Sequence, residues 1–192
     1  MPLRTQYLND VQHAPNLYAS NPCSRVAQIY QTARKGGLAP SLAQQVWKHL
    51  LPLHSQVQSG RLPVHQGAYD QLVINTALNI QATLQAHGRG GFGIGQKIVN
   101  LFMKDHWALG SILPPHEKLL HAPLDRTVLG KLDVQHLPKT WTAWTKVVAS
   151  GPNAVEVANY LDVQRQLRVF HAQCPIRFPS VIQMEQFIWH RI

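Results

Sequence analysis

The stretch from Gly88 to Lys104 reads GRGGFGIGQKIVNLFMK. Its centre, Gly93-Ile94-Gly95-Gln96-Lys97, predicts a tight glycine turn opening into a helix whose apolar stripe is Ile94, Ile98, Leu101 and Phe102. A turn of this kind leaves the first N–H groups of the helix without intrahelical partners. Those groups and the helix dipole suit an anion, and glycines at 93 and 95 would let a phosphate approach the backbone closely. Upstream, Tyr69, Leu72, Val73, Ala77, Ile80 and Leu84 recur at helical spacing, which predicts a long helix from about Val64 to Ala86. The expected unit is helix, glycine hairpin, helix.

Outward from this unit the pattern stays helical. The helix after the hairpin should end near Gly110, and Ser111 to Leu120, with Pro114-Pro115, reads as a loop. Asp125 should begin another helix carrying Val128, Leu129 and Leu132, and Thr140 to Ala149 a short one with Trp141 and Trp144. Asn153 with Glu156, and Ser180 with Gln183, are candidate capping boxes for two further helices. Toward the N-terminus, Ser41 with Gln44 is a third capping box, for a helix that Pro52 should stop or kink. Val26, Ile29, Tyr30 and Ala33 mark an earlier helix, and Met1 to Pro22 reads as a loop-rich arm. Strand alternation and solenoid-length repeats are both missing from the sequence. The expected fold class is all-α, with residues 1–192 as one helical domain.

Composition narrows the partner. Only 14% of residues are charged, yet eighteen Lys and Arg face nine Asp and Glu, for a net charge of +9. That asymmetry favours a polyanion, of which nucleic acid is the commonest. Cys23 and Cys174 are the only cysteines, too few for a disulfide framework or a zinc site. No apolar segment follows Met1 as in a signal peptide, and no run approaches membrane-spanning length. A cytoplasmic location, no membrane partner and a monomer are expected.

The sequence Gly93-Ile94-Gly95-Gln96-Lys97 resembles the hairpin of the helix-hairpin-helix DNA glycosylases, and His121-Ala122-Pro123-Leu124-Asp125-Arg126 resembles that superfamily's second signature, a proline and an aspartate opening a helix. The two signatures span about a fifth of the chain, inside a segment of about 64–134. The resemblance implies two helical lobes gripping double-stranded DNA across a cleft, and release of a modified base to leave an abasic site. Small bacterial members with no iron–sulfur cysteines are the nearest in character. Some of them remove glucosylated hydroxymethylcytosine from phage DNA in antiviral defence. Oxidised-purine repair is the alternative substrate class, and a non-catalytic DNA-binding module the alternative function.

The resemblance assigns Asp125 as the carboxylate that stabilises the positive charge built on the sugar. It assigns Lys97 as the nucleophile of those members that also nick the strand. A lysine in the first turn of a helix has its ammonium form disfavoured by the dipole, which suits an amine that attacks C1′. The same position also suits a phosphate contact, and both roles stay open. Lys97 and Asp125 are 28 positions apart, a longer connection than many members have. Candidate DNA contacts are Arg89, Lys104, Arg126 and the backbone at Gly91, Gly93 and Gly95. Candidate walls of a base pocket are Trp141, Trp144, His121 and Asn16. No cofactor or metal is expected, apart from a monovalent cation that the hairpin carbonyls of relatives bind.

Overall fold

The structure is a computed structural model, and it describes residues 3–10, 22–31, 38–124, 146–173 and 178–190. Among the described residues there are eight helices and no strand. They are α1 (Leu3–Asp10), α2 (Pro22–Gln31), α3 (Pro40–Gln58), α4 (Gln66–Gln85), α5 (Phe92–Ala108), the single turn α6 (Pro114–Glu117), α7 (Val155–Gln173) and α8 (Val181–His190).

The fold is built around α5. From Phe92 to Ala108 every residue is buried except Lys97 and Leu101, which are partly exposed. A helix buried nearly all round belongs at the centre of a core rather than on its surface. Helix α4 packs along it, α3 packs on α2 and α4, and α1 and α2 also reach α5. Helix α8 meets α1 and α7. Trp107, Tyr69, Tyr160, Phe92 and Phe102 are the largest side chains of the core and are fully buried.

The glycine segment differs from the expected turn. Helix α5 begins at Phe92, so Gly93 to Lys97 form its first turns, and the connection from α4 is residues 86–91. The reason for glycine here is packing. A Cβ on Gly95 would lie 2.3 Å from the Ala77 carbonyl oxygen, so only glycine lets α5 lie directly on the α4 backbone. A Cβ on Gly91 would lie 2.1 Å from the Val147 carbonyl oxygen.

Four other expectations need correction. The loop-rich arm contains α1, which showed no stripe because its anchor is polar: Tyr7 is buried with its hydroxyl on Asp105. Helix α3 does not stop at Pro52 but runs through it. Both Pro52 and Lys48, whose carbonyl loses its donor there, are exposed, so water can satisfy the missing bond. The capping boxes are not used as such at two sites. Pro40 starts α3 with no side-chain cap, its fixed φ suiting the first helical position. Ser180 and Gln183 both donate to Glu117. The expected loop 111–120 contains α6, started by Pro114.

Candidate functional site

Lys97 lies on the one strip of α5 that is not sealed, together with Leu101 one turn later. Its predecessor Gln96 is wholly buried. Gln96 Nε2 donates to the Gly93 carbonyl at 2.7 Å and to the Leu124 carbonyl at 3.4 Å. Leu124 is the last described residue before Asp125. A bond across 28 positions therefore joins the residue before Lys97 to the residue before Asp125.

The segment leading to Leu124 is fixed by more than this bond. Residues 120–124 are all buried. Gln164 on α7 accepts from the Ala122 amide at 3.1 Å and donates to the Ala122 carbonyl at 2.8 Å. A buried extended segment has no ladder of its own, so its backbone groups need side-chain partners, and Gln164 supplies two.

A chain of polar side chains runs from Gln96 through the core to the surface. Gln96 uses both amide hydrogens on carbonyls, so its Oε1 faces Asn100 Nδ2 at 2.9 Å. The second hydrogen of Asn100 Nδ2 goes to the Tyr160 hydroxyl oxygen at 2.9 Å. Tyr160 contacts His121 Nδ1 at 2.6 Å, and His121 Nε2 contacts Asp70 Oδ1 at 2.7 Å. A carboxylate only accepts, so Nε2 carries the imidazole hydrogen, Nδ1 accepts and Tyr160 donates. The donors then point two ways from Asn100: through Tyr160 and His121 to Asp70 on one side, and through Gln96 to the Leu124 carbonyl on the other. Gln66 also donates to Asp70, at 2.7 Å.

Charge follows this arrangement. Burial pushes the His121 pKa down, and the Asp70 bond and charge only partly oppose it, so the ring is neutral at pH 7. Burial would raise the Asp70 carboxyl, but hydrogen bonds from His121 and Gln66 and the nearby Arg168 charge hold it below the usual range. Burial also drives the Tyr160 phenol well above its ordinary value, so it remains a donor.

Several expected site residues lie elsewhere. His121 is 1% exposed with both ring nitrogens engaged, so it is a core link rather than a wall of a base pocket. Lys104 is 2% exposed and ion-paired with Glu185, with its ammonium 4.8 Å from the Tyr7 ring centroid, so it does not reach a phosphate. Gly91, Gly93 and Gly95 are buried. The Gly93 amide donates to the Val147 carbonyl at 3.3 Å and the Gly95 amide to the Gly91 carbonyl at 3.0 Å, so neither is held for an anion. Arg89 is exposed on the turn between α4 and α5, as a DNA contact requires. Asp125, Arg126, Trp141, Trp144 and Asn16 lie outside the described residues.

Sequence reasoning missed Asp70, Gln96, Asn100 and Gln164. The available signal was Gln96 and Asn100 themselves, two amides one turn apart on the apolar side of the helix's first half. Such a pair is kept in a core only where each amide finds partners. Among the described residues no group of three or more His, Cys, Asp or Glu could hold a metal ion, and no helix is long and apolar enough to cross a membrane. Comparison of the chain with protein-family models, with curated proteins and with solved structures found no match.

Proposed function

We propose that this protein is a helix-hairpin-helix DNA N-glycosylase that swings a modified nucleotide out of the duplex and releases its base. The observation that carries the reading is the Gln96 bond to the Leu124 carbonyl. It ties the neighbours of the two candidate catalytic residues together, so the long connection between Lys97 and Asp125 does not by itself separate them. Lys97 also lies on the single open strip of a helix that is otherwise interior. In the proposed reaction the base leaves with the electron pair of its bond to C1′, and the Asp125 carboxylate stabilises the sugar cation that results. Water, or the Lys97 amine, then attacks C1′; attack by Lys97 gives a Schiff base and opens the way to strand nicking.

The grip on DNA proposed here is electrostatic, across a cleft between two helical lobes, with Arg89 as a contact on the exposed turn. Burial leaves the surface basic: among the described residues Asp105, Glu117 and Glu185 are interior on the acidic side, and Arg25 and Lys104 on the basic side. The Gly93 and Gly95 amides are already bonded, so neither this reading nor the competing one, a non-catalytic helix-hairpin-helix DNA-binding module, draws its grip from them. The proposed substrate is cytosine carrying a glucosylated hydroxymethyl group, with an oxidised purine as the alternative.

The test is incubation with duplexes carrying each of these bases or normal bases, then hot alkali to break abasic sites. Breaks confined to one modified duplex are expected, with none for Asp125→Asn, which should still bind DNA. Binding without breaks on every duplex would reduce the protein to a DNA-binding module. Borohydride trapping on abasic DNA reads Lys97 separately: a covalent adduct lost in Lys97→Gln makes it the nucleophile.

A further inference from the structure

The core chain Asp70–His121–Tyr160–Asn100–Gln96 has a feature that packing alone does not require. It begins at a partly exposed carboxylate on α4, whose side chain is 18% exposed, and ends on the Leu124 carbonyl. It crosses α4, the 121–124 segment, α7 and α5, and meets no charge until Asp70. Each donor in it depends on the next acceptor. If His121 is protonated, Nδ1 becomes a donor and faces a hydroxyl that is itself donating. Tyr160 already accepts from Asn100, so turning its hydrogen away leaves that hydrogen without a partner in a buried site.

Building on the glycosylase reading, we infer that Asp70, His121 and Tyr160 are positioning residues: by fixing Asn100 and Gln96 they hold the start of α5, with Lys97, in register with the chain that enters Asp125. The neutral, Nε2–H form of His121 is the working form. The groups that face its ring are Asp70 and the Gln66 amide from α4, the Tyr69 ring from the same helix at 5.3 Å, and Tyr160 and the Arg168 charge from α7. Asp70 favours protonation and Arg168 opposes it, and burial opposes it most. Acid is thus the condition that reverses the Tyr160–His121 bond, and Asp70 lessens the acid needed.

Tyr160→Phe removes one hydroxyl from the middle of the chain. It keeps the ring that packs edge-on to Phe92 at 5.6 Å. The expected result is a fall in the single-turnover rate of base release of about 10- to 100-fold, with DNA affinity changed less than about twofold. Asp70→Asn, altered at the partly exposed end, removes the carboxylate charge without opening the core. It should shift the acid limb of the wild-type rate profile to lower pH, because the group that favours His121 protonation is weakened. In Tyr160→Phe the limb due to His121 should disappear. Amide exchange at Ala122 gives a readout independent of activity, and it should quicken by about tenfold or more in Tyr160→Phe.

The outcomes separate cleanly. If the wild type releases a base while both variants match it in rate, pH profile and Ala122 exchange, the positioning role is overturned and the glycosylase reading stands. If the wild type releases no base, the glycosylase reading falls. In that case faster exchange at Ala122 still supports the chain as the anchor of the 121–124 segment, and unchanged exchange removes that too. Should Tyr160→Phe fail to fold, the Asp70→Asn profile decides: an unmoved acid limb overturns the inference.

Discussion

Helix α5 buries polar groups at both ends but in different currencies. Toward its C-terminal end the partners are ions. Arg25 grips Asp105 with two bonds of 2.7 Å, the Tyr7 hydroxyl adds a third at 2.6 Å, and Lys104 pairs with Glu185. Toward its N-terminal end the partners are amides, a phenol and a neutral imidazole, with charge only at the rim. The ionic end joins α5 to α1, α2 and α8, the helices nearest the chain termini. A terminal helix with few apolar contacts can be held in place by one strong, directional anchor. The neutral end joins α5 to the segment before Asp125, where a permanent buried charge close by would compete with the charges proposed to do chemistry. The difference teaches that buried polarity in this molecule has two uses, attachment at one end and alignment at the other.

The largest expected effect is at the ionic end. Asp105→Ala leaves the Arg25 guanidinium buried without its carboxylate and should cost about 3–5 kcal/mol in urea unfolding. Replacing both partners, Arg25→Met with Asp105→Leu, should recover most of that loss. A double variant as unstable as the single one would mean that the pair itself, rather than relief of a stranded charge, supplies the stability.

Acid should come next, and it acts through histidines. Burial, then the His54 ring 3.2 Å away, push the His106 pKa down to about 4. A base whose folded pKa is depressed binds protons more readily when unfolded. The stability it contributes is therefore complete above its ordinary pKa of about 6.5 and is lost as pH falls toward about 4. The loss from His106 is roughly 3 kcal/mol, and His121 adds in the same direction. Thermal melts stepped from pH 7 to pH 4 should show a steep fall in Tm. His106→Phe should flatten it, and an unchanged slope would remove His106 from the account.

A smaller loss is expected at the neutral end. Asn100→Leu keeps the branching and the number of heavy atoms but strands the Gln96 oxygen, and should cost about 1–3 kcal/mol in the same urea assay. If it costs more than Asp105→Ala, the contrast between the two ends is reversed. The baseline is Arg165→Ala, which deletes the exposed Arg165–Asp162 pair on α7 and should change stability by less than about 0.5 kcal/mol.

The helices that frame the site were legible because their burial follows apolar spacing. Tyr69, Leu72, Val73, Ala77, Ile80 and Leu84 announce α4, and all but the half-buried Leu72 lie on its core face. The start of α5 was misjudged because Gly93 and Gly95 suggest a turn by local preference, and only the position of Ala77 shows that they serve helix contact. Lys104 was misassigned for a related reason. A lysine reads as surface until its partner is known, and Glu185 is 81 positions away. His121 was placed near the right segment but given the wrong task, since the residues that occupy its two nitrogens come from α4 and α7. Periodicity reports which face of a helix is buried; it carries no information on which distant polar group will meet it.

The contact of Gly95 with the Ala77 carbonyl has a mechanical consequence. Where two helices touch backbone to backbone, no flexible side chain lies between them to let one slide over the other. Helices α4 and α5 are therefore expected to move together, carrying the exposed Arg89 on the turn that joins them. Under the proposed function, a duplex held there would have to do the bending itself.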